Sequence, residues 1–357
     1  MAKCIFRGIA MSNAVVVLGA GASVSSGLKS LQSLFDDPDV QGYVQGACIE
    51  LTSFIRDCIN VPRGVDGSFP RDLNLEEILT LISQWRRCLS EEPARPWVPR
   101  LPSKYHDVNL LDTIIRQIHG CVYHAVYVNK SGRNGSHDYN TLIEILDKEF
   151  DHITWATFNW DAMFEQAFFY TFLQGKRLPS IVGDILDYDD AGRLNEKHTL
   201  LKLHGSVTWF KESDSSIRYK RFGKTQSRNE VRPAWEAYLD GDGTCGEPLI
   251  AEPTFFKHES LLKSTFLMEQ WRRFESSLLD ADKVIIIGYS LPDGDATSKQ
   301  LLLSVVANAC KAQFVVVDPE DVVCVRYERL LGLARVKAFR KKFGPFLAEQ
   351  GSELTSD

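Results

Sequence analysis

Glycines and small side chains that could bind a phosphate follow the first apolar run of the chain. The run is 15–18, and Gly19-Ala20-Gly21-Ala22-Ser23 comes directly after it. Glycines at the end of a first strand let the backbone turn tightly and approach a pyrophosphate, and the helix that follows presents free amides to it. A third glycine, Gly27, does not have the spacing of the dehydrogenase G-x-G-x-x-G motif. The cluster alone therefore fits a phosphate-binding turn or a tight turn without a ligand.

An amide and an imidazole follow the next two apolar runs. Asn159 stands in the sequence TFNWD, where its side chain could reach a ribose hydroxyl, and Asp161 ends that motif. His204 precedes Gly205, and a histidine at a strand end can act as a general base near neutral pH. Both motifs also have structural interpretations: Asp161 could cap the next helix, and His204 could bind a loop carbonyl.

Two later runs end in groups that suit a nucleotide. Gly288 again allows a close backbone approach, and Ser290 could donate to a phosphate, although Asp295 could equally mark the start of a helix. A carboxylate such as Asp318, placed at the end of a strand, often binds the ribose hydroxyls of adenosine. The alternative for Asp318 is a turn aspartate.

Buried strands and amphipathic helices must position these groups. Short apolar runs predict strands at 15–18, 153–157, 199–203, 248–251, 283–287 and 313–317, with a weaker candidate at 334–339. Helical spacing of apolar residues predicts helices within 74–85, 111–122, 139–146, 161–172, 261–279 and 296–309. Their alternation predicts an α/β fold with a doubly wound, Rossmann-like parallel sheet, whose ligands bind beyond the carboxyl ends of the strands.

The gap between the first two strands is too long for one crossover helix. We therefore expect a large, mostly helical insertion after the first strand, broken by the proline-rich stretch 93–102. The predicted organisation is a leader at 1–13, a nucleotide-binding domain at 14–30 plus 150–345, the insertion at 31–149 and a tail at 346–357.

Composition narrows the classes of protein. The 357 residues carry a net charge of -6, which disfavours a globally basic nucleic-acid binder. The eight cysteines are scattered without C-x-x-C spacing, as is typical of a reducing cytoplasm. No apolar run approaches the roughly 20 residues of a membrane helix. The stretch 14–18 is also shorter than the roughly 7–15 residues of a signal-peptide core.

Taken in order, the motifs GAGAS, TFNWD, KLHG and IGYS resemble the sirtuin-like superfamily, specifically its bacterial antiphage branch of NAD-cleaving enzymes (NADases). The resemblance covers about 14–30 and 150–320 and makes 14–30 plus 150–345 an NAD-binding domain. It implies that Asn159 contacts the nicotinamide ribose and that His204 is the catalytic histidine. The predicted NAD-binding residues are Gly19, Ala20, Gly21, Ala22, Ser23, Asp161, Gly205, Gly288, Tyr289, Ser290, Asp293 and Asp318.

The chain departs from sirtuin deacetylases in three features that bear on activity, and one of them is that the valine and backbone clamp for a peptide strand has no recognisable counterpart. Leu28-Lys29-Ser30 replaces the deacetylase cofactor-binding loop, and Cys245 is the one cysteine that follows the HG motif where deacetylases carry four zinc ligands. We therefore expect no zinc or other metal, and NAD as a substrate. The reaction that remains is hydrolysis of the nicotinamide–ribose bond, which makes the chain an NAD+ glycohydrolase releasing nicotinamide and ADP-ribose.

Other functions fit the same scaffold. One is a protein ADP-ribosyltransferase or deacylase, and another is a catalytically silent sensor that binds NAD or ADP-ribose. The resemblance also implies an antiviral effector that depletes cytoplasmic NAD and stays inactive until triggered. Its partners would be copies of itself in a homo-oligomer or a separate activating protein, such as an ATPase, an Argonaute-like protein or a sensor. Nucleic acid would act only through such a partner, and no membrane is expected. The basic segment 217–232 could dock an acidic partner or be a solvated loop.

Overall fold

A computed structural model of the chain describes most of its residues. The described ranges are 12–24, 27–28, 31–59, 75–90, 102–126, 137–172, 196–211, 217–219, 234–241, 246–252, 254, 261, 264–292, 295–307 and 311–356. Most of the predicted leader, Asn74, Asp293, Cys245 and most of the basic segment lie outside them.

Nine strands are present in these ranges. They are β1 Asn13–Leu18, β2 His152–Thr157, β3 His198–Lys202, β4 Gly205–Lys211, β5 Ile217–Tyr219, β6 Glu247–Ile250, β7 Lys283–Ile287, β8 Gln313–Val317 and β9 Val336–Phe339. The α-helices are α1 Ala20–Val24, α2 Pro38–Ala47, α3 Ile49–Phe54, α4 Leu75–Ser90, α5 Val108–Val126, α6 His137–Glu149, α7 Met163–Phe172, α8 Thr265–Leu279, α9 Ala296–Ala307, α10 Asp321–Leu331 and α11 Phe343–Gln350.

Six strands form the predicted parallel sheet. Their spatial order is β3-β2-β1-β7-β8-β9, and Ala14 of β1 lies opposite Ile153 of β2 and Lys283 of β7. The order runs outward in both directions from the β1–β7 pair, as in the Rossmann fold. The doubly wound α/β prediction is confirmed, and the crossover between β1 and β7 is the point at which such sheets bind ligands.

Three further strands form a small antiparallel sheet in the order β5-β4-β6. The predicted strand 248–251 corresponds to β6, shifted by one residue, but it belongs to this second sheet and not to the parallel one. β4 was not predicted. It begins immediately after the β3 turn, and its residues Val207 to Phe210 are buried.

Alternate residues of β1 face two helical layers, because successive side chains of a strand point to opposite sides. Val15 and Val17 pack in a core with α8, α9 and α10. Val16 and Leu18 pack in the opposite core with α6, α7 and α11. Residues 346–354, within the predicted tail, belong to this second layer, where Phe346 and Leu354 are buried.

The described residues between β1 and β2 are helical wherever they are regular, as predicted for the insertion. Its helices α2–α5 share a core of their own that includes Phe54, Ile78 and Ile118. That core continues into Trp160 after β2 and Phe210 of β4. The insertion is therefore packed against the carboxyl edge of the parallel sheet. Among the described helices, none is long and apolar enough to cross a bilayer.

Candidate active site

Two glycine turns meet at the carboxyl ends of β1 and β7. The Gly19 amide donates to the Ile287 carbonyl at 3.0 Å, and the Gly21 amide donates to the Gly288 carbonyl at 2.9 Å. Gly288 has a φ of +60°, and a Cβ on it would lie 2.4 Å from the Ala22 nitrogen. The main structural role of these glycines is therefore to let the two turns pack backbone against backbone. Ala20 and Gly21 remain exposed above it.

Two cavities open around the paired turns. The larger, a cleft of about 670 Å³, runs across Gly21 and Gly288 to Asp318 at the end of β8. The smaller, about 100 Å³, lies between the sheet edge and the insertion, where Leu34 and Val122 form part of its wall. Ala20, Phe158, Asn159 and His204 line both cavities. The predicted catalytic pair, Asn159 and His204, thus lies where the cavities meet.

The carboxamide of Asn159 has a fixed orientation. Its Nδ2 donates to the Gly19 carbonyl at 2.9 Å and to Ser23 Oγ at 3.1 Å, and its backbone amide donates to Thr157 Oγ1 at 3.0 Å. Both side-chain N–H groups have acceptors within the protein, so Oδ1 is the side-chain atom of Asn159 that is available to a ligand. That oxygen can accept a hydrogen bond from a ribose hydroxyl or from water.

Ser23 belongs to a buried polar network beneath the first turn. Its hydroxyl lies 2.8 Å from Tyr139 Oη of α6 and donates to Asp161 Oδ2 at 3.1 Å. Asp161 Oδ1 accepts from the Met163 amide at 2.9 Å, so the carboxylate also caps α7. Burial raises the pKa of Asp161 and of Tyr139. Ser23 and Asp161 line the smaller cavity, whereas the exposed part of the turn lines the cleft.

A buried ion pair that sequence analysis missed supports this network. Lys202, at the end of β3, is fully buried with its Nζ 2.8 Å from Glu165 Oε1 of α7. The ammonium also donates to the Asp161 carbonyl. The signal available in the sequence was a lysine inside the apolar run 199–203, where a charge must have a partner.

Backbone contacts fix the position of His204. Its carbonyl accepts from Trp160 Nε1 at 3.1 Å and from the Ala251 amide at 2.7 Å. Gly205 follows with a φ of +78°, and a Cβ there would lie 2.0 Å from the Leu249 carbonyl oxygen. The imidazole is buried, with its Nε2 3.6 Å from Asp295 Oδ2.

Tyr289 forms part of the cleft wall. Its ring stacks on Phe158 with centroids 3.9 Å apart and planes within 5°. Its hydroxyl donates to Asp295 Oδ2 at 2.5 Å and lies 2.9 Å from Ser298 Oγ. Burial raises the pKa of Tyr289 well above its usual value. Asp295 in turn accepts from the Ser298 amide at 3.4 Å, which fits the predicted helix start.

The far end of the cleft combines a clamped loop with an acidic group. Arg326 of α10 donates to the carbonyls of Ser290 and Leu291, which holds the loop after β7. Asp318 Oδ1 accepts from the Glu320 amide at 2.9 Å, so it is a turn aspartate, and it also lines the cleft. Burial raises the pKa of Asp318. The described part of the chain contains no cluster of three or more His, Cys, Asp or Glu residues that could hold a metal ion.

No protein-family model and no curated protein sequence matches the chain significantly. Among solved structures, the chain is similar to one described as "The Structural basis of Sirtuin Substrate Affinity". That similarity has 12% sequence identity and a TM-score of 0.48, and it covers 96% of this chain and 95% of the other.

Proposed function

We propose that the chain is an NAD+ glycohydrolase, which cleaves the nicotinamide–ribose bond with water to give nicotinamide and ADP-ribose. The observation that carries the proposal is the junction of the two cavities at Asn159 and His204. The order of the motifs along the chain, which resembles NAD-cleaving enzymes, supports the choice of NAD as the substrate.

The cleft suits an extended dinucleotide. It lies over the β1–β7 crossover, where Rossmann-like sheets bind nucleotides, and its volume is within the range of ligand pockets. A pyrophosphate over Gly21 and Gly288 would place the adenosine ribose at Asp318 and the nicotinamide ribose at the junction. The smaller cavity would then receive the nicotinamide ring, because its walls are mostly apolar with Ser23, Asn159, Asp161 and His204 as polar groups.

The chemistry requires few catalytic groups. Nicotinamide leaves as a neutral molecule, because the electron pair of the broken C–N bond neutralises the pyridinium nitrogen. The ribose passes through an oxocarbenium-like state, which needs a held sugar and a nucleophile on one face. Asn159 Oδ1 would orient the ribose or the attacking water, and His204 would accept the proton that the water loses as its oxygen bonds to the ribose carbon.

The test is direct measurement of nicotinamide release by the purified chain. His204→Ala and Asn159→Ala should each lower release at least 100-fold, in line with loss of a general base or of substrate positioning. The exposed residues His152 and Asn109 provide matched controls, and alanine at either should leave release unchanged. Carbon label placed in the ADP-ribose part of NAD distinguishes the alternatives: free ADP-ribose supports hydrolysis, and label on protein indicates a transferase.

The assay is repeated over a range of protein concentrations, because the proposal includes a resting state. NAD binding without nicotinamide release, both at every concentration of the purified chain and in lysate of infected cells that supplies an activating protein, would contradict hydrolysis and leave the sensor function. Undiminished release by His204→Ala would contradict the catalytic assignment.

The same motif resemblance supports a biological context for this activity. The chain would act in the cytoplasm as an antiphage effector that depletes NAD, and it would be released from inhibition by homo-oligomerisation or by a separate activating protein. Bacteria expressing the chain should lose NAD on infection and survive as a population, and His204→Ala should abolish both effects. Equal protection by His204→Ala would contradict the effector role.

A further inference from the structure

Asp295 has a position that helix capping alone does not explain. The carboxylate is 2% exposed in the wall of the cleft, and its Oδ2 lies 3.6 Å from His204 Nε2. Oδ1 faces the Ser298 amide at the start of α9. Oδ1 therefore caps the helix, while Oδ2 faces the imidazole.

One hydrogen bond holds that second oxygen in place, and two further contacts hold the tyrosine that donates it. The Tyr289 hydroxyl donates to Oδ2 at 2.5 Å. The Tyr289 ring stacks on Phe158, and the backbone carbonyl of Tyr289 accepts a hydrogen bond from Tyr327 Oη at 2.9 Å. The carboxylate, the phenol and the loop after β7 thus form one rigid unit beside His204.

We propose that Asp295 is the positioning residue for His204, accepting a hydrogen bond from Nε2–H so that the lone pair of Nδ1 faces the reacting ribose. This inference rests on the proposed hydrolysis. When Nδ1 takes the proton from water, the imidazole becomes a cation with a proton on each nitrogen, and the Asp295 carboxylate stabilises that cation. The proton on Nε2 stays where it is, and the proton on Nδ1 later leaves to solvent.

The distance of 3.6 Å fits an ion pair and is longer than a hydrogen bond. Catalytic hydrogen bonds are commonly long without substrate and shorten when it binds. The aromatic rings of Phe158 and Trp271, with centroids 5.0 Å and 6.3 Å from that of His204, pack beside the imidazole. Other titratable groups line the two cavities around it: Asp161 in the smaller one, and Glu76, Tyr289, Asp318, Glu320 and Lys342 in the cleft.

The decisive variant is Asp295→Asn, which keeps the volume of the side chain and removes its charge. We expect kcat to fall roughly 10- to 100-fold with KM for NAD little changed, and the acidic limb of the kcat–pH profile to move to lower pH. Asp37→Asn is the matched control, because Asp37 is equally buried at 3% and caps α2 through the Asp39 amide. It should leave kcat and the profile unchanged.

Nuclear magnetic resonance of chain labelled with ¹⁵N-histidine tests the contact without relying on turnover. The His204 signals are those lost in His204→Gln. Wild-type His204 should be protonated on Nε2, and its ring nitrogen shifts should change in Asp295→Asn but not in Asp37→Asn. Tyr289→Phe, which removes the hydroxyl that holds Oδ2, should give a smaller change in the same direction and replaces Asp295→Asn if that variant does not fold.

The outcomes separate this inference from the proposed function. Unchanged His204 signals and an unchanged pH profile in Asp295→Asn, in an enzyme that needs His204, would overturn the role of Asp295 and leave hydrolysis standing. Absence of nicotinamide release by the wild type, both as the purified chain and in lysate of infected cells, would overturn hydrolysis and, with it, the positioning role of Asp295, while the spectra would still decide the contact.

Discussion

Alanine at Gly288 tests whether the paired glycine turns set the shape of the cleft. At a φ of +60°, a residue with a Cβ costs about 1–2 kcal/mol more than glycine. The new Cβ would also lie 2.4 Å from the Ala22 nitrogen and 2.5 Å from the Gly21 carbonyl carbon, both backbone atoms. Forcing those turns apart adds about 1–3 kcal/mol. We expect Gly288→Ala to lower the free energy of unfolding by about 2–5 kcal/mol.

Gly332→Ala provides the matched control. Gly332 has a φ of +94°, and a Cβ there would meet no atom within 4 Å. Because its ψ of 131° lies outside the left-handed helical region, this variant should show only a conformational cost of about 1–3 kcal/mol. Urea denaturation of both variants separates the cost of the Cβ clash from the cost of the positive φ. Calorimetric titration with NAD measures how each substitution changes the affinity of the cleft for NAD.

NAD binding should be weakened at least 10-fold by Gly288→Ala and be unchanged by Gly332→Ala, because only the first moves the turns that line the cleft. Equal loss of stability in the two variants, together with wild-type affinity for NAD, would refute the reasoning.

Three further predictions concern buried polar groups. Lys202→Met leaves the Glu165 carboxylate buried without its ammonium and should cost about 3–5 kcal/mol in urea denaturation, part of which Glu165→Gln should restore in the double variant. Tyr139→Phe removes the hydroxyl 2.8 Å from Ser23 Oγ and should cost about 1 kcal/mol by the same measurement; no loss would mean that the network does not contribute to stability. Burial raises the pKa of Asp318 in the folded state, so its contribution to stability is present below the unfolded pKa of about 3.9 and is lost as pH rises through the folded value. The stability of Asp318→Asn relative to the wild type should therefore increase as pH rises from 3 to 7, and parallel stability–pH curves would contradict this. The same variant should show a smaller preference for NAD over NADP, measured by kcat/KM, because the wild-type carboxylate repels the added phosphate of NADP.

The strands that carry the site were predictable because both of their faces are covered. The predicted bounds of β7 and β8 match the structure to the residue, since an internal parallel strand reads as a continuous apolar run. α10 was not predicted. Its residues include Val322, Val323 and Val325, which favour a strand locally, and packing of Val323 and Cys324 against the sheet outweighs that preference.

The arrangement of the candidate site was predictable only in part. Asn159, His204 and Asp318 could be named because they follow strands whose carboxyl ends share one edge of the sheet. Their partners could not be. Ser23 meets Tyr139 across 116 residues, and Asp295 meets His204 through a turn whose path no local pattern specifies. The role of Ser23 beneath the turn follows from that long-range contact and not from its motif.

Two indoles frame the turn that carries His204. Trp160 Nε1 binds the carbonyl of His204, and Trp271 Nε1 binds that of Leu203 at 2.9 Å, with its ring beside the imidazole. Indole emission responds to nearby charge and to displaced water. Trp160 and Trp271 should therefore report on the cavity junction by their fluorescence. Among the seven tryptophans, these two should change emission when a nicotinamide ring binds there or when the imidazole becomes charged.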